Sequence, residues 1–316
     1  MFDSPLSATA YEILEVSASA DDAELRRAYR FRLRSTHPDT GGDAAEFVQV
    51  QRAWELVGTP ELRAAYDRGQ GLADDAGWDE WRPPSSRPDT RPRAKSHGEA
   101  GGWRRRRYLS LVRDLAAAGA EIRDPYAPAF VRRAPRELRR LLAGAIAEER
   151  TAGVVHDLGM GFTVWHDVAV TVKNAYGDER EDKDEREDKL DHVVLGPTGS
   201  YGLMSADLGG IARFRGGEVV APDVDGPPPV GTLLAQVRAV ARRARVRFTA
   251  AALVLPDDDL LVPTEPLGAS RGMPVVAVRR SVLPTLLRAG LPGTRVASGN
   301  ELFDVRTRIH QAVRFA

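Results

Sequence analysis

Between Ala23 and Ser35, apolar residues recur at Leu25, Ala28, Tyr29 and Leu33, a spacing that lines one face of a helix. The remaining positions carry Arg26, Arg27, Arg30, Arg32 and Arg34. The predicted helix is therefore dry on one side and positive on the other. Asp21 and Asp22 stand at its start, where acidic groups complement the macrodipole. It stops at Thr36-His37-Pro38-Asp39, because proline disfavours helical geometry in the residue before it, and Thr40-Gly41-Gly42 prolong the turn. A second periodic run from Asp43 to Val57 sets Phe47, Val50, Trp54 and Val57 on one stripe. Thr59-Pro60 closes it, and Glu61 to Arg68 begins a further short helix. Ahead of these, Tyr11, Leu14 and Val16 form an apolar turn. A loop this short makes the two middle helices antiparallel if their stripes face each other. His37-Pro38-Asp39 then falls at the exposed tip of a helical hairpin.

The pattern changes twice further on. From Gly71 to Gly102 the chain is rich in Pro, Ser, Gly, Asp and Arg and poor in aliphatic residues, which predicts a flexible linker. Beyond Trp103, amphipathic helices alternate with β-branched runs. Helices are expected at Tyr108–Gly119, Arg132–Arg150, Leu233–Ala244, Val282–Ala289 and Phe303–Val313. Strands are expected at Gly153–His156, Phe162–His166, Val168–Val172, Asp191–Leu195, Tyr201–Met204, Thr249–Leu255 and Val275–Val278. This order predicts an α/β or α+β domain with a mixed sheet flanked by helices. The expected division is an all-α domain at 8–70, a linker at 71–102 and the mixed-sheet domain at 103–316. A tandem hexapeptide, Asp178–Lys183 repeated as Asp184–Lys189, reads as a solvated loop extension.

Composition narrows the chemistry. The 316 residues carry zero formal net charge, so no global field draws the chain to nucleic acid or membrane. Cysteine is absent, which excludes disulfides, thiol catalysis and Cys-ligated zinc and suits a reducing cytoplasm. Met1 to Ala10 lacks the pattern of a signal peptide, and no apolar stretch reaches the ~20 residues of a membrane span.

Residues Ala8 to Gln70 resemble the J domain of the DnaJ family. The resemblance rests on Tyr11-Glu12-Ile13-Leu14, Leu25 with Ala28-Tyr29-Arg30, His37-Pro38-Asp39, Phe47 and Leu62-Arg63-Ala64-Ala65-Tyr66-Asp67. Two positions depart from the family: Arg32 stands where an apolar residue is common, with Leu33 taking the packing role, and Thr40 stands where lysine is common. The resemblance implies an Hsp70 (DnaK-type) partner whose ATP hydrolysis this domain stimulates. It assigns the contact to Arg26, Arg27, Arg30 and Tyr29 on the basic helix and to His37, Pro38 and Asp39 at the tip. The chain itself is then an activator and not an enzyme, and needs no cofactor. The residues alone also fit a small helical bundle whose loop happens to read His-Pro-Asp.

Residues 144–290 resemble the nuclease-related NERD domain, of restriction-endonuclease-like (PD-(D/E)xK) type. Leu190-Asp191-His192-Val193-Val194-Leu195-Gly196-Pro197-Thr198-Gly199 carries that resemblance, with Glu148 on the preceding helix and His166-Asp167. A nuclease of this type holds Mg²⁺ through carboxylates beside a lysine. Here the acid-x-Lys positions fall on Met204 and Ala206, which offer neither oxygen ligand nor charge. Glu148, Asp191, Met204 and Ala206 thus form a degenerate site, with Asp191 open to a metal role or to hydrogen bonding alone. The module is expected to target a client, not identified by the sequence, or nucleic acid. A metal-dependent nuclease is the alternative, and a third reading is a DNA-binding adaptor using Arg104–Arg107 and Arg242-Arg243.

Overall fold

A computed structural model describes residues 4–6, 8–67, 93–170, 189–224, 226–293 and 297–316. The chain divides into two compact units, one of residues 1–83 with 109–140, the other of 84–108 with 141–316.

In the first unit, α1 (Ala10–Ile13), α2 (Asp22–Ser35), α3 (Ala44–Val57) and α4 (Pro60–Asp67) enclose a small core. Ala10, Tyr11, Leu14, Leu25, Val50, Ala53, Val57 and Tyr66 are buried in it, and Tyr29, Leu33 and Trp54 pack against them. Local chemistry sets the helix starts. Thr9 and Glu12 form a reciprocal capping box for α1, and the Asp21 carboxylate accepts from the Glu24 amide to open α2, each satisfying an amide that lacks an intrahelical partner. Arg32 is not left hanging over the core: it reaches Glu15 at 3.0 Å and Glu46 at 3.8 Å.

The second unit is built on a sheet of β1 (Lys95–His97), β2 (Thr163–Ala169), β3 (Lys189–Gly196), β4 (Gly199–Ser205), β7 (Ala250–Leu255), β8 (Thr264–Ser270) and β9 (Met273–Arg279). These seven strands lie in the order β1-β2-β3-β4-β7-β9-β8. Strands β2, β3 and β4 form an antiparallel meander, and β7 joins β4 in parallel. A separate small ribbon pairs β5 (Arg213–Arg215) with β6 (Glu218–Val220). Each face of the sheet carries its own core. One packs Trp165, Leu190 and Leu253 against α8 (Pro229–Ala244) and α10 (Gly299–Ala312). The other packs Phe162, Tyr201 and Ala252 against Val155 of α7 (Arg136–His156) and Leu283 and Leu287 of α9 (Leu283–Ala289). The result is a sheet sandwiched between helical layers.

Several expectations are corrected. Gly153–His156 is the last turn of α7, not a strand; Val154 and Val155 cost a helix only a few tenths of a kcal/mol, which packing overrides. The helix expected from Tyr108 already begins six residues earlier, as α5 (Gly102–Ala117). The single helix expected over 132–150 is broken at Ala134-Pro135, where Ala134 turns extended (ψ 149°) before the proline. Its two pieces are α6 (Pro128–Arg133) and α7. The two strands expected over 162–172 are one strand, β2, with Asp167 at φ 49° in its middle; Val172 lies outside the described residues. Part of the expected linker forms β1 beside β2, while residues 71–92 lie outside the described residues. The expected boundary at 103 is not where the compact units divide, because residues 109–140 belong with the first unit.

Candidate functional site

The turn after α2 is a short 3₁₀ helix, Pro38–Thr40, held by its own backbone and by His37. The His37 Nδ1 accepts from the Asp39 amide at 3.2 Å, and its ring meets Phe47 edge-on at 5.0 Å. The amides of Gly41 and Gly42 donate to the carbonyls of Pro38 and His37. Gly41 sits at φ 85°, a conformation that disfavours a side chain. A Cβ on Gly42 would stand 2.3 Å from the Thr36 carbonyl carbon, so both glycines are required by the turn. The result is an outward tip: the side chains of His37 and Asp39 are 41% and 88% exposed.

Beside the tip, Arg26, Arg27 and Arg30 are exposed on α2. None of the three forms an ion pair among the described residues; Arg30 donates to the Arg26 carbonyl. Tyr29 is turned the other way and stacks on Trp54 at 4.3 Å with the rings nearly parallel. Its ring is therefore committed to the hairpin's own packing, while its neighbours face solvent.

A different arrangement surrounds the residues singled out in the second unit. Glu148 and Asp191 do come together, but around an ammonium group. Lys189 Nζ donates to both oxygens of Glu148 at 2.7 Å, to Asp167 at 2.8 Å and to Asp191 at 3.0 Å. Arg104 lies 3.1 Å from Glu148 and 3.9 Å from Asp191. The amides of Gly101, Trp103 and Ser205 donate to Glu148, Asp167 and Asp191 respectively. Residues 178–188 of the tandem hexapeptide lie outside the described residues, but Lys189, its last residue, is not solvated: it opens β3 and is 1% exposed. The correction has a physical cause, since a buried ammonium is tolerated where carboxylates surround it. Two cations among three carboxylates leave an excess negative charge. Burial, Asp191 and Asp167 push Glu148 well above the ordinary carboxylate value, against the pull of Lys189 and Arg104. For Asp191, burial acts upward, but Lys189, Arg104, His192 and the Ser205 amide outweigh it and hold it low.

Next to this network runs a chain of imidazoles. His166 Nδ1 lies 2.8 Å from His192 Nδ1, and its Nε2 lies 3.4 Å from His156; His192 also reaches the Ser205 hydroxyl at 3.0 Å. Burial and the neighbouring histidines push His166 down to about 2. Burial likewise takes His192 down to about 4, partly opposed by Asp191. Met204 and Ala206 take no part: Met204 is buried in the apolar core and Ala206 packs against it. Lys189, Arg104 and His156 are the participants that the sequence did not bring together; His166-Asp167 and His192 stood beside Glu148 and Asp191 in the resemblance, without an assigned role. For Lys189 the one usable signal was Lys189-Leu190-Asp191, since alternate strand residues share a face.

The arginine run, one expected basic patch, is divided: Arg104 and Arg105 are turned inward, whereas the Arg106 side chain stays 58% exposed. Arg105 grips Glu149 with two hydrogen bonds, at 2.7 and 2.8 Å, and Arg106 donates to the Ala316 carbonyl. Arg243 donates to the carbonyls of Ala169 and Val170.

The helical hairpin, its His-Pro-Asp tip and its exposed arginine face together define the class of module to which the N-terminal part belongs. Residues 9–67 match the family model of the DnaJ domain, and this N-terminal part is a J domain. Relatives include a "Chaperone protein DnaJ" of Trichodesmium erythraeum, 48% identical over 61 residues, which are 18% of this chain and 16% of the relative. Another DnaJ, from Erysipelothrix rhusiopathiae, is 44% identical over 70 residues, 21% of this chain and 19% of the relative. A "Tetratricopeptide repeat and J domain-containing co-chaperone DNJ1" of Mycosarcoma maydis is 37% identical over 67 residues, 21% of this chain and 12% of the relative. The chain thus spans about one sixth of the length of the first of these relatives. No solved structure matches the chain.

Proposed function

We propose that this chain is an Hsp70 co-chaperone whose J domain stimulates ATP hydrolysis by a DnaK-type partner. The observation that carries the reading is the exposed tip beside arginines that no described carboxylate neutralises. Arg26, Arg27 and Arg30 steer the domain onto an acidic surface, giving fast, salt-sensitive and transient contact. Asp39 supplies a carboxylate for charge-assisted hydrogen bonds to a partner arginine. Pro38 stiffens the turn, and His37 holds the Asp39 amide. Hydrolysis occurs in the partner, so the J domain activates and does not catalyse. The test is single-turnover ATPase measurement with the host's Hsp70. His37→Gln is expected to abolish stimulation while leaving the melting temperature unchanged; equal stimulation by both forms sinks the reading.

For the second unit we infer a NERD-like domain of restriction-endonuclease type whose nuclease site is inactive and which targets a client or nucleic acid. Support comes from helix α7, the β2–β4 meander, the α8 crossover and parallel β7, together with Glu148 and Asp191 at one point. The residues do not fit a divalent ion. Every carboxylate oxygen of Glu148, Asp167 and Asp191 already accepts from Lys189, Arg104 or a backbone amide. Among the described residues, no three acidic or histidine side chains are arranged to hold a metal. One observation favours the nuclease alternative, namely that Lys189 brings an ammonium to these acids from β3. Magnesium-dependent cutting of plasmid DNA, abolished by Asp191→Ala, would establish it. No described helix is long and apolar enough to cross a membrane; a cytoplasmic setting is proposed only because the co-chaperone reading needs an ATP-hydrolysing DnaK-type partner.

A further inference from the structure

On the basic face of α2 one side chain does not belong with the others. Phe31 is 68% exposed, although the helix already buries Leu25 and packs Tyr29 and Leu33 against the domain core. The fold therefore gains little from an aromatic at position 31. Its neighbours at helical spacing are Arg27, one turn before, and Arg34, one turn after, with Arg30 adjacent; all are exposed. Elsewhere in the same unit, Arg32, Arg63, Arg133 and Arg139 each meet a carboxylate. Arg26, Arg27 and Arg30 meet none among the described residues, so positive charge is left uncompensated where Phe31 stands. Of the acids near the start of α2, Asp22 is occupied by Arg63, and Glu24 pairs with none of the three.

An exposed aromatic bordered by arginines has the anatomy of an interface anchor: a desolvated apolar centre within a charged rim. It also lies on the right footprint. Phe31 lies four positions before the end of α2 at Ser35, about 6 Å along its axis, and His37 follows two residues beyond that end. Both fit within the ~800 Å² that one partner contributes to an ordinary interface.

We propose that Phe31 is a specificity-determining anchor for the partner contact, inserting into an apolar recess that acidic side chains surround on the Hsp70 surface. This rests on the co-chaperone reading and deepens it, since arginines alone would accept any acidic surface, whereas a seated phenylalanine selects one with a matching recess. The apolar contribution is insensitive to salt, unlike that of the arginines.

The test uses the full chain and the host's Hsp70, measuring ATPase stimulation against co-chaperone concentration at several salt concentrations. Phe31→Ala is expected to raise the concentration for half-maximal stimulation roughly tenfold, the loss typical of a truncated interface aromatic. The maximal stimulation and the salt dependence should stay as in the parent, and Phe31→Leu should recover part of the loss. The double variant Arg27→Ala/Arg30→Ala should instead flatten the salt dependence. Half-saturation within twofold of the parent for Phe31→Ala, with His37→Gln still inactive, overturns the anchor and leaves the co-chaperone reading standing. Full stimulation by His37→Gln overturns both. A lowered melting temperature for Phe31→Ala also overturns the anchor, because it would make Phe31 a structural residue.

Discussion

Lys189 shows how far a single side chain can depart from the character of its neighbourhood. It closes a run of charged residues that reads as solvated, yet it is the hub of the buried network between Glu148, Asp167 and Asp191. Removing the ammonium leaves like charges facing one another in a low-dielectric interior. Lys189→Met is therefore expected to destabilise the second unit by about 3–5 kcal/mol, the usual cost of breaking a buried ion pair from one side. A downward shift of its urea midpoint measures this, and adding Glu148→Gln should return part of the loss. At the tip, Gly42→Val forces a Cβ into the Thr36 backbone. That variant should lose Hsp70 stimulation while the far-UV circular dichroism of the helices persists. His37, Pro38 and Asp39 were legible as a unit because a proline stop and paired glycines define the turn locally. Lys189 was not, since its partners Asp167 and Glu148 lie 22 and 41 residues away in the chain.

Elements divide along the same line. The helices α2, α3 and α4 follow from periodicity, and their ends from Asp21, Pro38 and Pro60, because capping and helix termination act within a few residues. The strands of the meander were found, but their extents were not: an isolated glycine and two valines read as a strand at 153–156, and packing of Val155 made them helix. The imidazole chain links α7, β2 and β3 through His156, His166 and His192, and it makes this joint acid-sensitive. Both His166 and His192 have folded-state values far below the ~6.5 of an exposed histidine. Below that value the unfolded chain takes up protons that the folded chain refuses. The stability that these two histidines contribute is thus intact above about pH 6.5 and declines on acidification towards pH 4, by about 1.4 kcal/mol per pH unit for each, partly offset by Glu148, whose raised value acts the other way. Thermal melting between pH 7 and pH 4.5 checks this. His192→Asn is expected to flatten the profile.

On the scale of the whole molecule, zero net charge and the inward pairing of Arg104 and Arg105 speak against strong electrostatic attraction to nucleic acid, with Arg106 and Arg242 left exposed. An arginine held inside the fold neutralises no phosphate and so releases no counterion from DNA. Duplex DNA should accordingly bind weakly and with a shallow salt dependence in a gel-shift titration; a steep slope would restore the DNA-adaptor reading. The first unit also takes in residues 109–140, where Arg139 donates to Glu12 and Arg132 lies over the Tyr66 ring. No composition shift marks that return, so the expected boundary at 103 misplaced a segment of one compact unit.

The amino-acid order alone determined the hairpin, its exposed tripeptide and its basic flank, because turn chemistry and helical periodicity are local and a strand's alternation is nearly so. Only the tertiary structure decided that Lys189 is buried, that four consecutive arginines are not one surface, and that residues 109–140 return to the first unit. Those outcomes depend on charges and side chains meeting across long stretches of chain, where the low dielectric of the interior makes pairing compulsory and gives no sign of itself in the neighbouring residues.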